Sequence, residues 1–175
     1  MNAHPLCLSA PSVFSLKKAM QTYARQGGTS AIFVHDDGLQ CITEEERDAR
    51  ITFYADHNIG WVARPPHGAD GFVRAGRFKK ASNMNYGLTL SLKLEKHLMD
   101  LEATGEKDGE ADGGLSLEDR AMEMAIEEIY QQNGQKCRPW ASNGKALRMG
   151  EIILLVDADT IVPEVRCLFF PIAAC

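Results

Sequence analysis

Two carboxylates spaced i, i+2 end the run Glu151-Ile-Ile-Leu-Leu-Val-Asp157-Ala-Asp159-Thr160. Five consecutive Ile, Leu and Val residues have the length and β-branched content of a strand buried on both faces of a parallel sheet. A strand ending in Asp-x-Asp places both acids on the carboxyl edge of the sheet, where open α/β sheets bind ligands. Two acids held close repel unless a cation lies between them. A hard divalent cation with oxygen ligands, shared with a phosphate, meets that requirement. Asp-x-Asp is too short to be diagnostic alone. A second acidic strand end, Asp36-Asp37-Gly38, follows the apolar run Ala31-Ile-Phe-Val-His35. Asp-Gly is also a common turn signal, so this pair has a plain structural reading beside the chemical one.

Cations gather between Trp61 and Lys80. Arg64, Arg74, Arg77, Lys79 and Lys80, with His67, face one acid, Asp70. Cations near a helix start do not help its dipole, which favours anions there. Such a stretch serves either as a solvated basic loop or as a seat for an anion such as a diphosphate. His35 and His57 have no second metal-type ligand at useful spacing, and Trp61 and Trp140 read as packing.

The elements that position these residues alternate. Apolar spacing predicts a helix over 12–26, a strand over 30–35, and a helix from the capping box Thr43-x-x-Glu46 to Asp56. A strand over 59–64 and a long helix over 79–101 follow, the latter with Met84, Leu88, Leu92, Leu98 and Leu101 on one face. Ser116-x-x-Asp119 opens a helix with Met122, Ala125, Ile126, Ile129 and Tyr130 on one face. Residues 138–150 read as loop before the apolar strand that ends at Val156. The expected fold class is α/β, a mostly parallel sheet flanked by helices.

The chain has 175 residues, enough for one domain with a core. Its formal charge is -5, yet Glu102–Asp119 holds seven acids against Lys107 alone. That segment is a local acidic insertion, 103–115 reads as a flexible linker, and the remainder is near neutral. The local acidity says nothing about the partner; no nucleic-acid partner is expected. Five scattered cysteines without a Cys-x-x-Cys argue against a disulfide framework and a structural zinc site. No apolar run reaches membrane-spanning length and no signal peptide is evident, so a soluble chain in a reducing compartment is expected.

The segment Phe78-Lys79-Lys80-Ala81-Ser82-Asn83-Met84-Asn85-Tyr86 resembles the Lys-Ala-x-Asn-Leu-Asn segment of cellulose-synthase-like family 2 glycosyltransferases. Three further stretches agree in order: Val34-His-Asp36-Asp37-Gly38, His57-Asn-Ile-Gly-Trp-Val-Ala-Arg-Pro65, and Leu155-Val-Asp157-Ala-Asp159-Thr160-x-Val-Pro163. The likeness is strongest to fungal membrane members and spans residues 12–164, preceded by an irregular leader, 1–11, and followed by a non-family tail, 165–175.

The resemblance implies an incomplete GT-A-like (Rossmann-like) domain that binds a nucleotide-diphosphate sugar, a UDP-sugar first of all, with Mg²⁺ or Mn²⁺ as cofactor. It implies that Asp36 or Asp37 contacts the base, that Lys79 or Lys80 and Asn83 or Asn85 face the diphosphate-sugar, and that Asp157 and Asp159 hold the metal, Asp159 foremost. It also implies a glycan acceptor for the full-length protein, a position on the cytoplasmic side, and relatives integral to the membrane. The chain departs from the family by lacking a strand before the first helix. It also lacks the catalytic carboxylate, acceptor motif and membrane helices that follow the Asp-x-Asp in members. The expectation is a piece truncated at both ends, inactive alone, its tail an intron read-through or mis-called gene end. The alternatives are a non-catalytic nucleotide-sugar-binding fragment and, of another class, a haloacid-dehalogenase-type phosphotransferase fragment. The last also uses Asp-x-Asp after a strand, but only 16 residues follow Asp159 here.

Overall fold

The structure is a computed structural model and describes residues 10–74, 80–106 and 114–163. The chain divides into two compact units, one of 1–31 with 152–175 and one of Ile32–Glu151.

The larger unit is mixed α/β, with a three-stranded sheet flanked by helices. Strand β1 (Ile32–His35) pairs in parallel with β2 (Ile59–Ala63), with Ile32 opposite Ile59 and His35 opposite Val62. The crossover between them is α2 (Glu44–Asp56), which begins where the sequence placed its capping box. Thr43 accepts from the Glu46 N–H, and the Glu46 side chain accepts from the Thr43 N–H. Strand β2 then pairs antiparallel with β3 (Trp140–Ser142). All five β2 residues are buried, as expected of a central strand covered on both faces.

The core lies where α3 (Lys80–Ala103), α4 (Leu117–Gln132) and the single turn α5 (Gly144–Leu147) meet the sheet. Leu90, Leu94, Leu98 and Leu101 of α3 interlock with Ala121, Met122, Ala125 and Ile126 of α4, against Val62 and Leu147. Ser116 caps α4, and Asp119 accepts from both the Ser116 hydroxyl and the Gly144 N–H at 2.8 Å, tying α5 to the start of α4. Between the helices, Glu128 bridges Lys93 at 2.5 Å and His97 at 2.8 Å. The Lys93 ammonium foremost holds the Glu128 carboxyl down at about 2, against the opposing effect of desolvation.

Three expectations are corrected. The inner face of α3 is Gly87, Leu90, Ser91, Leu94, Leu98 and Leu101, whereas Leu92 is 69% exposed. The expected stripe mixed two helical faces, because apolar residues occur on both sides of α3 and periodicity alone does not choose between them. Residues 138–150 are not all loop, since β3 and α5 lie there; β3 is three residues long, too short to show a period.

The third correction concerns the smaller unit. Its helix α1 (Ala10–Ala24) buries Ser12, Val13 and Ala19, and the Ser15 hydroxyl accepts the Val162 N–H at 3.1 Å. Residues 152–156 form no strand, and Ile152, Ile153, Leu154 and Leu155 are 51–63% exposed. A buried parallel strand needs hydrogen-bonded neighbours and covered faces, and among the described residues the sheet contains only β1, β2 and β3. The leader before Ala10, most of the acidic linker (107–113) and the tail lie outside the described residues. No helix among the described residues is long and apolar enough to cross a membrane.

Candidate functional site

Because β1 and β2 are parallel, the residues that follow them emerge at the same edge of the sheet. Asp36 and Asp37 follow β1, Arg64 follows β2, and the first turn of α3 brings Ser82 and Asn83 to the same place. The two adjacent acids do different things. Asp36 continues the parallel ladder, donating its N–H to the Val62 carbonyl at 2.9 Å. Its carboxylate is fully buried and accepts from Arg50 Nη1 at 3.1 and 3.3 Å, from the Tyr54 hydroxyl at 2.8 Å and from the Gly38 N–H at 3.0 Å. Both oxygens are used, as burial of a charge demands. Asp36 thereby caps the 3-10 turn Asp37–Gln40 and fixes where Asp37 stands.

Asp37 is the more open acid, with its side chain 21% exposed. It accepts the Arg64 backbone N–H at 3.2 Å and is gripped by Arg64 Nε at 3.1 Å and Nη2 at 2.5 Å. Arg74 Nη1 adds a contact at 3.4 Å. Arg64 gives its remaining nitrogen, Nη1, to the Ser82 hydroxyl at 3.0 Å. Arg74 is fastened by the Pro65 and Arg64 carbonyls, at 3.0 and 3.3 Å. His35 and Asn83 close the cluster: Asn83 Nδ2 donates to the His35 carbonyl at 3.3 Å, and His35 Nδ1 lies 3.1 Å from the Asn83 carbonyl. Asn83 Oδ1 is buried and has no hydrogen-bond partner among the described residues. Gly87 lets α3 approach, since a Cβ there would sit 2.1 Å from the His35 ring.

Burial lowers the His35 pKa below its ordinary 6.5, against the smaller upward pull of the Asn83 carbonyl and Asp37. The folded state therefore prefers neutral His35, whereas the unfolded chain takes up a proton as pH falls through 6.5. Stability from this group is complete above that pH and declines below it, toward the lowered folded pKa. We expect the thermal midpoint to fall from pH 7.5 to pH 5.5 by less in His35→Gln than in wild type. An equal fall in both proteins contradicts the assignment. Burial also raises the Tyr86 phenol well above its ordinary range, keeping it neutral beside Phe72.

Of the other residues singled out from sequence, Lys80 and Asn85 are exposed on the first turns of α3, and Lys79 lies outside the described residues. Asp157 and Asp159 are exposed in the smaller unit, on a turn closed by the Thr160 N–H donating to the Asp157 carbonyl at 2.9 Å. Among the described residues no group of three or more His, Cys, Asp or Glu side chains is placed to hold a metal. Two carboxylates on an open turn fit a cation whose other ligands are phosphate oxygens and water, and do not fit a cation caged by protein. Trp61 and Trp140 pack edge to face at 5.0 Å.

A cavity of about 450 Å³ lies elsewhere in the larger unit, between Ile51, Ile59, Trp61, Met122 and Ser142. The acids at its rim are engaged, Asp119 as above and Glu123 with Arg138 at 3.2 Å. It shares no residue with the Asp37 cluster.

Sequence reasoning missed Arg50 and Tyr54. Their signal was an Arg and a Tyr spaced i, i+4 on a charged helix, 14 and 18 residues after a paired acid. No protein-family model, curated protein or solved structure matches the chain.

Proposed function

We propose that the chain binds a nucleotide-diphosphate sugar as the donor site of an inverting glycosyltransferase with a GT-A-like domain. The observation that carries this reading is the set of cations at the carboxyl edge of β1 and β2. Arg64 and Arg74 converge there on one carboxylate, beside the N-terminus of a 24-residue helix with no acid in its first turn. Planar guanidiniums and a helix N-terminus both favour phosphate oxygens, and parallel sheets bind ligands at this edge. The ordered motif resemblance supplies the nucleotide and the sugar.

In this reading Asp37 is the acid available to a ligand, and Asp36 holds it in position. Asn83 offers its unpartnered oxygen to a sugar hydroxyl, as a buried acceptor requires. The motif resemblance alone assigns Asp157 and Asp159 a divalent cation, which would supply charge neutralisation to a leaving diphosphate.

Calorimetric titration of the chain with UDP and Mn²⁺ tests the proposal. We expect metal-dependent binding that weakens by about tenfold or more, roughly 1.4 kcal/mol, in the double variant Asp157→Ala, Asp159→Ala. Unchanged metal-dependent binding in that variant removes the metal assignment, and no binding in wild type removes the function. Sugar release or transfer from a UDP-sugar by the same sample makes it an enzyme on its own; binding without turnover makes it a module.

A further inference from the structure

Arg64 and Arg74 carry two positive charges, and among the described residues Asp37 is the one carboxylate that both touch. Their other partners are neutral: the Ser82 hydroxyl and the carbonyls of Pro65 and Arg64. Neither guanidinium is open to water, at 6% and 15% side-chain exposure. Among the described residues one positive charge is thus left without its own counter-ion in a partly buried place, which is costly unless an anion supplies it. Arg64 Nε and Nη2 together present the fork that a phosphate oxygen pair would engage, and the Asp37 carboxylate already fills it.

We propose that Asp37 is an internal stand-in for the ligand's phosphate. In the free protein it occupies the arginine slot, and a diphosphate entering the site exchanges with it. The displaced carboxylate is then free to accept a hydrogen bond from the ligand's donor groups. Asp37 is more exposed than Arg64, and its neighbour Asp36 is held by Arg50 and Tyr54, so the exchange is assigned to the Asp37 side chain. This inference rests on the diphosphate-binding reading and adds a cost to it. If Asp37 fills the slot about nine-tenths of the time, the apparent affinity for an anion is about a tenth of the intrinsic one.

The test uses inorganic pyrophosphate without metal, titrated into the whole chain by calorimetry. Asp37→Asn should bind it about tenfold more tightly than wild type, because the competing anion is gone. Arg74→Gln, which leaves Asp37 and Arg64 as a neutral pair, should bind it about tenfold more weakly. Equal or weaker binding by Asp37→Asn overturns the exchange. If that variant does not fold, undiminished binding by Arg74→Gln overturns it, and weakened binding supports it. Outcomes for the two proposals separate. Wild type that binds UDP, with no gain for pyrophosphate in Asp37→Asn, sinks the exchange alone. A gain for pyrophosphate with no UDP binding in wild type sinks the nucleotide reading alone.

Discussion

Replacing Asp36 by alanine is expected to cost the larger unit about 3–5 kcal/mol, the loss typical of removing one partner of a buried ion pair. Arg50 has a side chain only 9% exposed and lies 3.1 Å from the Asp36 carboxylate. Without Asp36 it would lose this counter-ion while still buried, and the Tyr54 hydroxyl, 2.8 Å away, would lose that acceptor. The 3-10 turn would also lose its cap at Gly38. Urea unfolding measures the result as a fall in midpoint at unchanged slope. A change under about 1 kcal/mol would show that Asp36 is dispensable to the fold.

Leu94→Ala should cost about 2–5 kcal/mol, whereas Leu92→Ala should stay within about 0.5 kcal/mol. Leu94 is fully buried between α3 and α4, so its removal loses both transfer free energy and packing that the neighbours do not refill. Leu92 is two residues away on the same helix and mostly in water. The pair decides which of two overlapping apolar stripes faces the core. Comparable losses at both positions would mean that α3 is rotated from the orientation described here. Because α3 also delivers Ser82 and Asn83, that rotation would dismantle the cluster at the sheet edge.

These two substitutions mark where the sequence was and was not legible. Helix ends with local chemistry were readable. Thr43 with Glu46, and Ser116 with Asp119, start α2 and α4 where their side chains bond to orphan N–H groups, and that bonding is local in sequence. Strands β1 and β2 were readable because short apolar runs ended in turn signals. The face of α3 was not, because Leu occurs at 88, 90, 92, 94, 98 and 101, and only tertiary partners select among them. The fate of residues 152–156 was not readable either, since whether an apolar run is buried depends on neighbours that the run does not encode.

For the candidate site, the sequence named Asp36 and Asp37 but not the division of labour between them. Asp36 and Asp37 are adjacent and chemically identical. The difference between a sealed carboxylate and an open one comes from Arg50, Tyr54, Arg64 and Arg74, which lie 14 to 37 residues away.

The run Ile152–Val156 has a consequence of its own. Five water-facing apolar residues without proline or glycine have the composition of segments that stack between chains. Glu151 and Asp157 bracket them, so stacking copies in register would set like charges against each other at both ends. Asp157 would thereby oppose self-association, besides being half of an Asp-x-Asp. In the proposed reading, a cation bound at Asp157 would neutralise the same charge and so lower the barrier that keeps copies of the chain apart.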